Sequence, residues 1–235
     1  MLTSNLLALI ITFAVALIFL RINDFAAHRG WISSQLSRKI IHMGTGPIFV
    51  LCWLLFPGKP VDRYLAALVP ALITIQFALV GFGIIKDEAA VQAMSRTVNP
   101  REILRGPLFY GIVFVVLTIV YWMDSPIGIT ALMLMCGGDG LADIVGRRIG
   151  KKKLPWAKGK SWLGSMGMLV GGWVFAILIA LVFVNAGIFP GAFSQYLLPL
   201  TVIAFVGTLI ESLPLKDIDN ITVTAAALIL GHLLF

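Results

Sequence analysis

A chain of 235 residues that is 59% hydrophobic and only 12% charged, with a mean hydropathy of +0.98, falls well short of the roughly 25% charged residues of a soluble domain. That balance excludes a water-soluble globular protein and places the chain in the lipid bilayer. The formal net charge of +7 would suggest nucleic acid in a soluble protein, but nearly all of it lies in short loops between apolar runs, so membrane topology accounts for it and no nucleic-acid partner is expected.

The first run, MLTSNLLALIITFAVALIFLR, lacks a basic n-region, and its apolar stretch of about 18 residues exceeds the roughly 7 to 15 of a secretory h-region. It reads as a retained span. The segment INDFAAHRGWISSQL that follows mixes apolar and polar positions, is too short to cross, and is expected on the membrane surface. Further runs long enough for about 30 Å of hydrocarbon at about 1.5 Å per residue fall near 40–56, 64–85, 107–123, 164–185 and 196–213, with shorter ones at 126–142 and 221–235. Backbone groups in lipid must be satisfied within the segment, and no barrel-like alternation is visible, so these are helices. The expectation is an all-α, polytopic membrane helical bundle of about eight transmembrane helices, with seven or six as alternatives, forming a single domain over 1–235. Cys52 and Cys136 sit in or beside apolar runs without metal-ligand spacing.

The loops supply an independent check, because Lys and Arg in short loops collect on the cytoplasmic side. Arg21, Arg29, Arg38 and Lys39 fall in one loop, Lys86, Arg96, Arg101 and Arg105 in another, seven more in 146–160, and Lys216 in a fourth; only Lys59 and Arg63 fall in the alternate class. Eight spans put these groups on opposite faces. Nine of the eleven acidic residues join the basic loops, Asp62 and Asp124 being the exceptions. The polar chemistry, and with it an active site, is therefore expected on the cytoplasmic side, with both termini on the other.

Residues 136–160, CGGDGLADIVGRRIGKKKLPWAKGK, set Asp139 and Asp143 against the end of an apolar run and then place seven basic residues within fourteen positions. If this stretch is helical, Asp139, Asp143, Gly146 and Gly150 fall within an arc of about 60°. Carboxylates suit Mg²⁺, a hard cation held by one or two of them together with substrate phosphates. Glycines let a bulky anion approach the main chain, and the lysines balance phosphate charge. The reading is a metal-polyphosphate site at the mouth of a short helix. The alternative is that these glycines serve helix packing and the basic residues only stop translocation; ionisable groups at the end of an apolar segment are costly, which favours function for the two aspartates.

Three other polar stretches lie on the same side. In LSRKIIH, Arg38 and His42 open a span one turn apart. In NPREILRGP, Asn99 is placed to cap a helix begun by Pro100 with Glu102 completing a capping box, while Arg101 and Arg105, four apart, are placed to face a phosphate. In ESLPLKDIDN, Glu211 ends a span, Pro214 interrupts the helix, and Asp217 or Glu211 is a candidate general base. His28 and His232 have no companions and read as structural.

These blocks, LSRKIIHMGTG at 36–46, REILRGPLFYG at 101–111, GDGLADIVGRRIGKKKLPWAKGKSWLGS at 138–165 and ESLPLKDIDNITV at 211–223, together resemble the phytol kinase and farnesol kinase family, relatives of dolichol kinase among CTP-using membrane enzymes. The resemblance implies transfer of a phosphoryl group from CTP to the primary hydroxyl of a long-chain isoprenoid alcohol. By analogy, Asp139 and Asp143 hold Mg²⁺, Lys158 and Lys160 neutralise the transferring group, and Glu211 or Asp217 orients or deprotonates the hydroxyl. Gly138, Gly140, Gly146, Arg147, Gly150, Lys151 and Ser161, with Arg38, His42, Arg101 and Arg105, form the nucleotide's surroundings.

CDP-diacylglycerol-type cytidylyltransferases share a related D-x-x-A block, but tend to carry a G-H-G-G segment near the C-terminal motif, where this chain reads KDIDNITVTAAALILGH. A transporter would place charges near the bilayer midplane and show repeated halves, neither of which is visible. Both remain the alternatives to a kinase.

Overall fold

The computed structural model describes residues 4–95, 99–215 and 218–235. Every apolar run of the sequence becomes a helical segment: α1 (Asn5–His28), α2 (Ser34–Cys52), α3 (Asp62–Gly81), a short α4 (Glu88–Met94), α5 (Gly106–Val120), α6 (Pro126–Met133), α7 (Gly140–Arg148), α8 (Trp162–Asn185), α9 (Ser194–Glu211) and α10 (Asp219–Leu234). Among the described residues, six stretches are long and apolar enough to cross a membrane: Asn5–Ala27, Asp62–Gly81, Pro100–Val120, Pro126–Arg148, Trp162–Asn185 and Ser194–Glu211. The count sits at the lower end of the expected range. The α2 helix falls short because it incorporates Arg38, Lys39 and His42 in its first half, and the apolar part of α10 is too short. The architecture is an all-α polytopic bundle.

The segment expected to lie on the membrane surface is not a separate element. The α1 helix runs on through Ala26 and Ala27 to His28, and α2 begins at Ser34. Between them Gly30 takes φ 72, the left-handed conformation that L-residues avoid. Gly30 N–H donates to Ala27 and Trp31 N–H to Ala26, while Trp31 packs edge-on against Phe25. This is a complete Schellman stop with its hydrophobic contact, and the same pattern ends α3 at Gly83 and α8 at Gly187.

The chain divides into two compact units, Met1–Ile119 and Val120–Phe235. In the first, Asn5 donates to the buried Asp62 at 2.6 Å, and Arg63 donates to the carbonyl of Ile119 at 3.2 Å. The starts of α1 and α3 and the end of α5 therefore share one end of this unit, carrying Lys59, Asp62 and Arg63. The opposite helix ends carry Arg21, Arg29, Arg38, Lys39, Lys86, Arg101 and Arg105, so the described part of this unit keeps the charge partition read from the loops. At that basic end Val80, Val91 and Ile103 form a small core with Phe77 and Met94, in which the 3-10 turn after α4 packs against α3, and α4 packs against that turn and α2.

The second unit is built around α6 and α7. Ser125 accepts from Ile127 N–H and Pro126 occupies the first helical position, a start that fits proline's fixed φ and missing donor. In the stretch Pro126–Arg148, 78% of the apolar part is buried inside the protein, against 44% for α8 and for α9. It is the enclosed helix of this unit, with α8, α9 and α10 packed around it.

Candidate active site

The enclosed helix is not regular throughout. Between α6 and α7, Leu134–Asp139 forms a π-helical turn, in which bonding shifts from i→i+4 to i→i+5, a local expansion often found at functional sites. Leu134 to Gly138 are buried; Asp139 and Asp143 are each half-buried. Asp139 closes the wide turn and Asp143 follows one turn later on α7, so the expected spacing of two carboxylates on successive turns is present. Asp143 is held by Arg147, whose Nε donates to Oδ1 at 2.5 Å.

The glycines lie against protein neighbours. A methyl at Gly138 would lie 2.6 Å from the sulfur of Met168, and one at Gly146 would touch Gly164 and Ser161 at 3.4 Å. Gly150 lies past the end of α7, so it does not share the helical arc, and a methyl there would meet Ser161 Oγ at 2.2 Å. The counterparts on α8 do the same: methyls at Gly164, Gly167 and Gly171 would approach the carbonyl oxygens of Ala142, Leu141 and Gly137 at 3.2, 2.9 and 2.3 Å. The bare Cα faces admit a neighbouring helix and a serine, as small-residue interfaces in membrane proteins do. Gly140 is likewise buried.

After α7 the chain makes a hairpin. Lys153–Leu154 pairs antiparallel with Ala157–Ser161, with Pro155 and Trp156 as the connection. The partners Lys153↔Ser161 and Leu154↔Ala157 leave Lys158, Gly159 and Lys160 opposite a single backbone step, an irregularity of the kind that re-aims side chains. Ser161 closes the strand and caps α8, its buried Oγ accepting from Gly164 N–H at 3.1 Å. Lys160 turns to the end of α9, where its ammonium donates to the backbone carbonyl of Glu211 and lies 2.8 Å from Glu211 Oε1. Trp156 Nε1 donates to the carbonyl of Ser212 at 3.0 Å. Lys151, Lys158 and Arg147 are exposed.

The structure thus brings together, in the second unit, the third and fourth sequence blocks. Asp217 lies outside the described residues. The first two blocks lie in the first unit. There, Arg38 and His42 are one turn apart on α2 as expected, and the His42 ring packs on Tyr110 with centroids 4.5 Å apart while its carbonyl accepts from Tyr110 at 2.6 Å. Asn99 does cap at Pro100, accepting from Arg101 N–H at 3.0 Å, but the helix is a 3-10 turn and the Asn99 N–H donates to Ser95 Oγ. Arg105 lies just past this turn as its C-cap, so Arg101 and Arg105 are not on one regular α-helical face. His232 has a partner, Tyr121, at 2.9 Å.

Comparison with known proteins decides the family. The chain is 39% identical over 230 residues to a probable chloroplastic phytol kinase of Triticum aestivum, covering 97% of this chain and 77% of that one. It is 41% identical over 214 residues to probable phytol kinase 1 of Oryza sativa, covering 90% and 68%, and 39% identical over 209 residues to the chloroplastic farnesol kinase of Arabidopsis thaliana, covering 88% and 68%. The chain belongs to the phytol kinase and farnesol kinase family. No protein-family model matches it, and no solved structure does.

Within this member of the family, no cluster of three or more His, Cys, Asp or Glu side chains forms a metal cage among the described residues. Two carboxylates on successive turns nevertheless fit Mg²⁺, which keeps several waters and takes substrate phosphates as its remaining ligands. What sequence reasoning missed is the π turn and the fastening of the hairpin to α9. The adjacent glycines Gly137 and Gly138 were the only signal of the first, and Trp156 beside the two lysines the only signal of the second.

Proposed function

We propose that the chain is a CTP-dependent kinase that phosphorylates a long-chain isoprenoid alcohol, of the phytol, geranylgeraniol or farnesol type, to its monophosphate at the cytoplasmic face of the membrane. The observation that carries this reading is the position of Asp139 and Asp143 in the C-terminal half of the most enclosed helix of their unit, whose end leads directly into a folded hairpin rich in lysine. The names of the relatives support the alcohol as acceptor, the family resemblance supports CTP, and the segregation of basic residues to one end of the first unit supports the cytoplasmic face.

Phosphoryl transfer asks for positioning and charge neutralisation more than for covalent chemistry by the protein. Magnesium, when bound, would supply positive charge that offsets that of the phosphates. Asp139 and Asp143 supply its protein oxygens, and the exposed Lys158 and Lys151 neutralise phosphate charge. The alcohol enters from the lipid phase, its chain among apolar helix faces and its hydroxyl at the interface. The hydroxyl oxygen bonds to the γ-phosphorus as the bond to the β–γ bridging oxygen breaks; CDP leaves and the hydroxyl proton passes to solvent.

The experiment incubates purified protein in detergent with Mg²⁺, each nucleoside triphosphate in turn, and phytol, geranylgeraniol, farnesol or dolichol, scoring lipid monophosphates by mass. CTP with a C15 to C20 prenol is expected, with CDP as coproduct. Pyrophosphate release with a lipid phosphate acceptor would instead identify a cytidylyltransferase and overturn the kinase.

A further inference from the structure

The pair formed by Lys160 and Glu211 has the geometry of a fastening. Glu211 is the last residue of α9 and is 7% exposed. The last carbonyls of a helix have no partner within it, and here two of them, on Glu211 and Ser212, accept from the hairpin residues Lys160 and Trp156. The ammonium also neutralises the Glu211 carboxylate at 2.8 Å and complements the negative end of the helix dipole. A carboxylate engaged in this way is poorly placed to take a proton from an alcohol, and an ammonium so engaged is poorly placed to meet a phosphate.

The strand is fixed again at the residue after Lys160, where Ser161 caps α8 and abuts Gly146 and Gly150 at the end of α7. Lys158 stands between these anchor points and the Trp156 contact, in the irregular part of the strand, and is exposed. We propose that Lys160 and Glu211 are a positioning pair that fastens the basic hairpin to the end of α9, and that Lys158 is the strand's phosphate-binding cation. This rests on the phosphoryl-transfer reading and divides roles that the sequence pattern alone makes equivalent.

The test is a double-mutant cycle on the full-length protein in detergent, with CTP and farnesol or phytol, reading coproduct release. Lys160→Met and Glu211→Gln each lower kcat by up to about 100-fold, the scale of a misplaced group, and leave KM for CTP within about twofold. The double variant is no slower than the poorer single variant, because both remove one contact. Lys160→Arg recovers most of kcat, since its fork of donors serves both the carbonyl and the carboxylate. Lys158→Met instead raises KM for CTP.

Multiplying losses in the Lys160→Met, Glu211→Gln double variant, or a rise in KM for CTP on Lys160→Met like that of Lys158→Met, would overturn the pair. Should Lys160→Met not fold, the cycle is run with Lys160→Gln and the same criterion applies. The reaction itself is judged separately, on whether wild-type protein releases CDP or pyrophosphate, and the cycle is read in whichever coproduct appears.

Discussion

Arg147 reaches back one turn along α7 and holds Asp143, its Nε 2.5 Å from Oδ1. The arginine side chain is 50% exposed and the aspartate 23%, and an exposed pair at this helical spacing contributes only about 0.3–0.5 kcal/mol. That is enough to orient the carboxylate between turnovers and too little to hold it against a divalent cation bridged to phosphates. The two residues therefore separate by substitution. Asp139→Asn and Asp143→Asn are each expected to lower turnover by more than about 100-fold, beyond the loss typical of a residue one shell away from a metal. Arg147→Gln should cost only a few-fold, and EDTA should abolish activity that added Mg²⁺ restores. Coproduct release, with helix content followed by circular dichroism, checks this; an active Asp139→Asn, Asp143→Asn double variant would remove the basis of the proposed site.

The glycines of α8 predict a stability effect with little direct chemistry. A methyl on Gly171 would sit 2.3 Å from the carbonyl oxygen of Gly137, which is backbone and cannot swing away. Gly171→Ala forces α8 off the π turn, and overpacking of this kind costs about 1–3 kcal/mol. The expected outcome is a lower thermal midpoint in detergent, together with reduced kcat because the π turn sets the position of Asp139. An unchanged midpoint would mean that the two helices do not approach as described.

How much of this was legible beforehand follows from the physics of each signal. Helix positions were legible because the cost of unsatisfied backbone in lipid forces every long apolar run into a helix, and the aspartate spacing was legible because α7 keeps the ordinary period. The end of α1 was misplaced because polar residues such as Asn23 and Asp24 look like an exit from the membrane, whereas a helix stops only where its carbonyls find partners, here at Gly30. The surroundings of Gly146 and Gly150 were not legible because a bare Cα serves a ligand and a packed helix equally, and only the tertiary structure shows their contact with Ser161 and, for Gly146, Gly164. The Lys160 to Glu211 contact spans 51 residues, and no local pattern reports it.

The stop at Gly30 gives a third prediction. Its φ of 72 lies where a Cβ crowds the backbone, so Gly30→Ala should destabilise the protein by about 1–2 kcal/mol although a methyl there would touch nothing within 4 Å. Gly106 is also open to a methyl but has no positive φ. Gly106→Ala should therefore be neutral, or stabilise by up to about 1 kcal/mol through the unfolded chain. Thermal unfolding of the two variants side by side separates backbone strain from contact, and equal effects would refute the assignment of the stop to Gly30.

Asp62 is fully buried at the end of the first unit away from its basic helix termini, accepting from Asn5 Nδ2 at 2.6 Å and from Lys59 N–H at 2.7 Å. A buried carboxylate persists only where donors replace its lost hydration. Here the donors come from the start of α1 and from the turn leading into α3, so the interaction ties two helices together. Removing one donor leaves the acceptor buried. Asn5→Ala should then cost about 1.5–3 kcal/mol, the scale of a hydrogen bond to a charged group, while Asn5→Gln, which keeps an amide on a longer stem, should recover part of it. Because Asp62 takes no part in the proposed chemistry, kcat measured well below the unfolding transition should stay within about twofold of wild type. A stability loss with intact kcat supports a purely architectural carboxylate; a collapse of kcat at temperatures where the variant remains folded would show that this end of the unit takes part in the reaction.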